Sequence, residues 1–234
     1  MLKVESLYYT YPDGHEALRG ISLTVHEGEK LALVGANGSG KSTLLLHIAG
    51  AVKVQQGRIT FRGQESQEVL RKNIGLTFQD ADDQLLMPSV VEDVAFSLVA
   101  GGMSRSKAHE RARAILDSLG ISHLAERPPH RLSGGEKRIV SFAGVLAGEP
   151  EVLALDEPSS ALDPRARRRV IDFLRKTKHT IILATHDLDM ALDVCTRAVI
   201  LSDGSVACEG TLPELFTDRK ILEANGLELP LRYS

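Results

Sequence analysis

Apolar positions along the chain gather in short runs, and the spacing between the runs sets the architecture. Runs at 31–34, 74–78, 152–155, 180–184 and 198–201 are each bounded by polar or turn residues. Short continuous apolar runs of this kind read as strands buried on both faces. Residues 57–63 instead alternate polar and apolar between two glycines, as a half-buried strand does. Helical spacing appears at 43–49, at 215–224 and on the segment opened by Asp163 and Pro164. There Asp163 is the N-cap and Pro164 occupies the first turn. Strands alternating with helices predict an α/β fold with a mostly parallel sheet. Residues 1–30 read as short strands and turns, with a turn signal at Tyr11, Pro12, Asp13 and Gly14.

The pattern changes over residues 80–147, where 90–99, 107–119 and 136–147 have helical spacing and no strong strand signal intervenes. This predicts a helical subdomain inserted into an α/β core of 1–79 and 148–234, all within one domain. Arg127, Pro128, Pro129, His130 and Arg131 form a stiff connector, since paired prolines exclude helix. Arg165, Arg167, Arg168 and Arg169 read as a solvated helix face.

Composition narrows the function classes. A net charge of -3 on 234 residues argues against a nucleic-acid binder that relies on a basic face. At 43% hydrophobic the chain has material for a packed core. Cys195 and Cys208 have neither metal-ligand spacing nor a disulfide framework, which suits a reducing compartment. The first residues do not read as a signal peptide, and no apolar run approaches the ~20 residues of a membrane span. The expectation is a soluble chain that meets a membrane only through a partner.

Candidate chemistry begins at Gly35, Ala36, Asn37, Gly38, Ser39, Gly40, Lys41, Ser42 and Thr43, which fit G-x-x-x-x-G-K-[ST]. The loop follows a predicted strand and opens a predicted helix. Glycines let successive N–H groups converge on one anion, and the helix adds the positive end of its dipole. Lys41 neutralises β- and γ-phosphates, and the Ser42 hydroxyl can ligate Mg²⁺. A second apolar strand ends in Asp156 and Glu157. Ligands of open α/β sheets bind at the carboxyl ends of strands, which brings both acids toward the phosphate loop. Asp156 is the candidate Mg²⁺ ligand, directly or through water, and Glu157 the candidate base for the attacking water. Ser133, Gly134, Gly135 and Glu136 form another glycine turn at a helix start, with Ser133 as N-cap and free N–H groups for an anion.

The order of phosphate loop, Gln79, Leu132-Ser133-Gly134-Gly135-Glu136-Lys137-Arg138, Leu155-Asp156-Glu157-Pro158 and Thr185-His186-Asp187 resembles the nucleotide-binding domain of ATP-binding-cassette transporters, to about residue 216. The resemblance implies a P-loop NTPase core with an antiparallel β region near the N-terminus, and a Mg²⁺-dependent ATPase. Tyr11 matches the aromatic that stacks on adenine, with Tyr8 and Tyr9 as neighbouring alternatives. Gln79 matches the glutamine that touches Mg²⁺ and senses the membrane partner. Ser133, Gly134 and Gly135 match the signature that binds the γ-phosphate held by a second subunit. The loop from Ser159 to Asp163 matches the link between the two sites of the pair, and His186 the histidine that contacts the γ-phosphate. The implied cofactors are ATP and Mg²⁺. The implied partners are a second cassette, identical or paralogous, and transmembrane subunits, with no nucleic acid. The implied location is the cytoplasmic face of the cell membrane.

The stretch from Phe78 to Phe96 is similar to the energy-coupling-factor importers, and Leu222 to Pro230 to their cobalt and nickel members. The acidic run from Asp80 to Asp83 also suits a plain solvated loop. Vitamin import is the alternative within that group. Many relatives carry Gln where this chain has Glu136, although Glu is also seen in this branch, so the departure leaves the expectation of ATP binding in place. A soluble mechanical ATPase acting on DNA or ribosomes is a further alternative, but chains of that kind carry a coiled coil or two linked cassettes, absent from this sequence. A nucleotide clamp without hydrolysis fits poorly with Glu157 and His186.

Overall fold

The structure, a computed structural model, describes residues 1–78, 84–160 and 162–233. Contacts divide the chain into two compact units. One comprises Met1–Leu76, Glu151–Glu157 and Lys178–Ser234; the other comprises Thr77–Pro150 and Pro158–Thr177.

The first unit holds two sheets. Strands β1 (Leu2–Thr10), β2 (Glu16–Val25) and β4 (Gln56–Phe61) form an antiparallel sheet with β1 in the centre. The larger sheet runs β5-β6-β7-β3-β8-β9. Its strands are β3 (Lys30–Val34), β5 (Ile74–Thr77), β6 (Val152–Asp156), β7 (Thr180–Thr185), β8 (Arg197–Ser202) and β9 (Ser205–Thr211). β3, β6, β7 and β8 are parallel, and β9 returns antiparallel along β8. Every residue of β6 and β7 is buried, which is why both read as unbroken apolar runs. Leu44, Leu45 and Ile48 of α1 (Lys41–Ile48) share a core with Leu31, Leu33, Ala154 and Ile182. Each fully buried Leu or Ile contributes about 1.5–3 kcal/mol.

Three elements of this unit escape the periodicity reading: β9, α2 (Gln67–Asn73) and α7 (Leu188–Val194). β9 is an edge strand with no fully buried residue, so it carries no apolar run. Its turn was visible all the same: Asp203 and Gly204 stand at φ 47° and 75°, the paired left-handed geometry of a two-residue hairpin. The single helix expected over 215–224 is two, α8 (Leu212–Phe216) and α9 (Arg219–Ala224). Asp218 accepts from the N–H groups of Lys220 and Ile221 and so starts a new helix.

Arg197 ties distant segments of the unit together. Its guanidinium donates to Glu29 Oε1 at 2.7 Å, to Glu209 Oε2 at 2.9 Å and to the Thr24 carbonyl at 2.6 Å. The side chain of Glu29 is only 12% exposed, so removing its partner strands a carboxylate in a poorly solvated place. Arg197→Ala is expected to lower stability by about 2–3 kcal/mol in urea denaturation, and Arg197→Lys to recover only part, since an ammonium cannot reproduce the fork. An unchanged denaturation midpoint would show that the network adds nothing.

Apart from Thr77 at the end of β5, the regular secondary structure of the second unit's described residues is all helical, joined by turns and loops. It contains α3 (Val90–Ala100), α4 (Arg105–Ser118), α5 (Gly134–Ala147) and α6 (Pro164–Lys176). α4 buries Ala108, Ala112 and Leu116, an i, i+4, i+8 stripe. Phe142 of α5 meets Phe173 of α6 edge to face, with centroids 5.4 Å apart. Asp163 caps α6 through the N–H groups of Arg165 and Ala166, as its sequence position predicts. The connector with paired prolines is not wholly extended: Pro129–Arg131 make one 3-10 turn. Pro129 stands at the first position of that turn, where its missing N–H costs nothing.

Candidate functional site

Parallel register brings the ends of three neighbouring strands level. β7 lies between β6 and β3, with Asp156 opposite Ala184 and Val34 opposite Thr185. The residues that follow are therefore delivered side by side: the loop from Gly35, the pair Asp156 and Glu157, and His186.

The loop tolerates only glycine at two of its turns. Gly35 stands at φ 157°, and a Cβ there would lie 2.3 Å from the Leu201 carbonyl oxygen. Gly40 stands at φ 102°, with the Ala17 carbonyl oxygen 2.7 Å from the place of a Cβ. Gly40 is also the N-cap of α1 and offers no side chain, so the first N–H groups of α1 have no side-chain cap. An anion suits that end of the helix. Lys41 is 7% exposed and folds back over the loop, donating to the Gly35 carbonyl at 2.7 Å and the Ala36 carbonyl at 2.9 Å. Burial pulls its ammonium below the usual lysine range, opposed by the charges of Glu157 and Asp156. The Ser39 hydroxyl is buried with no hydrogen-bond partner. An unsatisfied hydroxyl, uncapped N–H groups and a buried cation in one loop fit a polyanionic phosphate chain. The Ser42 hydroxyl and the Asp156 carboxylate are hard oxygen donors of the kind that could hold Mg²⁺ alongside phosphates.

Glu157 is 7% exposed and stands at φ 46°, a left-handed conformation rare for a non-glycine residue. Its carboxylate accepts from Thr185 Oγ at 3.0 Å, from the His186 backbone N–H at 2.9 Å and from His186 Nδ1 at 2.7 Å. A carboxylate only accepts, so His186 Nδ1 carries the proton in this bond. The histidine ring is otherwise open to solvent, with 67% of its side chain exposed.

Tyr11 reaches the same loop. Its hydroxyl lies 2.9 Å from Thr43 Oγ1, and its ring meets Tyr9 edge to face at 4.9 Å. Tyr8 is 43% exposed, with its hydroxyl end packed against Gly20 instead. Thr185 entered the sequence reading only as a member of the Thr185-His186-Asp187 motif, with no role of its own. It donates to Glu157 and accepts from the Asp187 N–H at 3.0 Å, so it fixes both the acid and the turn carrying His186. Its signal was a hydroxyl closing an otherwise apolar strand.

In the helical unit Ser133 caps α5 in a full capping box with Glu136. Gln79 and the run from Asp80 to Asp83 lie outside the described residues, as does Ala161 of the loop from Ser159 to Asp163.

Residues 18–160 match the protein family described as ABC transporter. An ABC transporter ATP-binding protein of Gloeobacter violaceus is 50% identical over 98% of this chain and 97% of its own length. The energy-coupling factor transporter ATP-binding protein EcfA of Methanosphaera stadtmanae is 40% identical over 98% of this chain and 86% of its own. Among solved structures, cbiO1 of Clostridium perfringens, described as part of the ABC transporter complex cbiONQ, superposes with a TM-score of 0.81 at 39% identity, covering 95% of this chain and 93% of that one. The ATP-binding cassette MJ0796, a dimer bound to ADP and Pi, gives a TM-score of 0.83 at 30% identity over 91% of this chain and 99% of its own. The chain belongs to the ABC transporter family, as a P-loop ATPase subunit that uses ATP and Mg²⁺.

Proposed function

We propose that this chain powers an energy-coupling-factor type importer, with cobalt or nickel ions as cargo. The observation that carries the importer reading is the likeness to cbiO1 over almost the whole of both chains, while the cargo rests on the resemblance of Leu222 to Pro230. The likeness to EcfA and the stretch from Leu222 to Pro230 support the same branch. Two cassettes pair, each ATP lying between the loop of Gly35 to Thr43 on one subunit and Ser133, Gly134 and Gly135 on the other. The dimer of MJ0796 supports this arrangement. Lys41 and the loop N–H groups hold the phosphates, Ser42 and Asp156 hold Mg²⁺, joined by Gln79, and Tyr11 packs on adenine. Mg²⁺ supplies charge neutralisation on the phosphates.

Glu157 takes a proton from the attacking water, and His186 supports the γ-phosphate. Thr185 and the His186 backbone keep the carboxylate aimed while the His186 ring turns from it to the phosphate. Closure excludes water, and hydrolysis reopens the pair. That motion passes to membrane subunits through the inserted helical subdomain, 80–147, of a single domain of 1–234. Exposed Leu86, Phe96 and Val99 on that unit support a protein contact there. No helix of the described residues is long and apolar enough to cross a membrane. In this reading the chain meets the cytoplasmic face of the membrane through its partner subunits.

The test is a pull-down from gently solubilised native membranes with this chain as bait, assaying cobalt, nickel and vitamins in the complex. Membrane subunits with cobalt or nickel are expected. A vitamin in their place would keep the architecture and overturn the metal cargo. Active ATPase without any membrane partner would overturn the importer reading.

A further inference from the structure

Ser133 has two donors, and both already rest on a carboxylate. Its backbone N–H donates to Glu136 Oε2 at 2.8 Å, and its hydroxyl donates to the same oxygen at 2.9 Å. In return the Glu136 N–H lies 3.3 Å from Ser133 Oγ, completing the box at the start of α5. The Ser133 N–H holds the Glu136 carboxyl below the usual carboxylate range, so the group is an anion at neutral pH. The other oxygen, Oε1, lies 3.8 Å from the Arg127 guanidinium. The approach to the turn is open, since a Cβ placed on Gly134 would meet nothing within 4 Å.

We infer that Glu136 is an internal competitor of the γ-phosphate and thereby sets how tightly two cassettes close on ATP. This rests on the reading given above, in which Ser133 binds the phosphate held by the second subunit. A phosphate oxygen arriving at Ser133 needs the same proton that Glu136 Oε2 now takes. It also brings one anion against another across an interface, where like charges oppose association. Closure therefore requires the carboxylate to yield the Ser133 hydroxyl, and the nearby Arg127 offers it somewhere to turn. The pair closes less tightly and reopens more readily than one with a neutral residue in this place. A symmetric pair contains two such contacts, so the effect acts twice.

Glutamine at this position also completes a capping box. Glu136→Gln thus removes the charge and keeps the cap, and an unchanged melting temperature without nucleotide verifies this. The experiment measures pairing with Mg-ATP by sedimentation in the Glu157→Gln chain, alone and with Glu136→Gln, Ser133→Ala or both added. Glu136→Gln is expected to tighten pairing by about tenfold or more, and Ser133→Ala to cancel the gain. If Glu136→Gln does not tighten pairing while Ser133→Ala weakens it, the competitor role is overturned and the phosphate role of Ser133 stands. If Ser133→Ala changes nothing, or no chain pairs, the reading of Ser133 falls and the inference with it.

Discussion

Glu157→Gln leaves ATP binding intact while turnover falls by about two orders of magnitude or more, the range for losing a general base. The substitution keeps the side-chain length and one carbonyl oxygen, which can still accept from Thr185 Oγ or the His186 N–H. Among the described residues the hydrogen bonds to the Glu157 carboxylate come from Thr185 and His186 and not from the phosphate loop, so nucleotide affinity has no reason to fall. What disappears is the group able to take a proton from water. Single-turnover hydrolysis with radiolabelled ATP, beside equilibrium binding of a fluorescent ATP analogue, separates the two effects. Turnover near the native rate would remove Glu157 from the role of base. A parallel loss of binding would mean that its main contribution is to hold the loop in shape.

Lys41→Ala acts on the other half of the cycle. Affinity for Mg-ATP should drop by about a hundredfold or more, since truncating one partner of a buried charge pair costs about 2–5 kcal/mol. Lys41 is buried among backbone carbonyls, with Asp156 and Glu157 as its nearby counter-charges. Burial lowers its pKa, so below that lowered pKa the folded chain carries a desolvated ammonium that the unfolded chain does not. That penalty is present at neutral pH and fades only as pH rises toward the usual lysine range. Removing the ammonium relieves it, so the nucleotide-free variant should melt no earlier by this route. Calorimetry with and without Mg-ATP is the measurement: the native chain gains thermal stability on adding nucleotide and the variant does not. A variant that keeps the gain would show that the loop N–H groups hold the phosphates without Lys41.

Much of the site was legible because the site-bearing strands are buried on both faces. β3, β6 and β7 therefore announce themselves as apolar runs, and the chemistry follows at their ends. Ser133 and Asp163 were legible as caps because capping is local, settled within three or four residues. The meeting of Glu157 with His186 was not readable from spacing, because 29 residues separate them and only the sheet register closes the gap. The role of Thr185 escaped for the same reason, although the motif named the residue: its hydroxyl matters through Glu157, which is remote in the chain. β9 was missed because an edge strand need not be apolar, although Asp203 and Gly204 spelled out its turn. The break between α8 and α9 was missed because a cap inside a helical pattern, here Asp218, does not disturb the apolar spacing around it.

The sheet order has a consequence for the timing of folding. β3 is the strand that launches the phosphate loop, and its two neighbours are β7 and β8. Both come from the last third of the chain. A ribosome-bound chain that has emerged only as far as the end of the helical segment carries the complete loop sequence with no strand on either side of it. Non-local pairing of this kind is slow, and the hydrophobic strand stays exposed until its partners arrive. The nucleotide site is thus encoded first and assembled last. An interrupted chain long enough to contain every glycine of the loop is a candidate for aggregation, with no means of binding ATP.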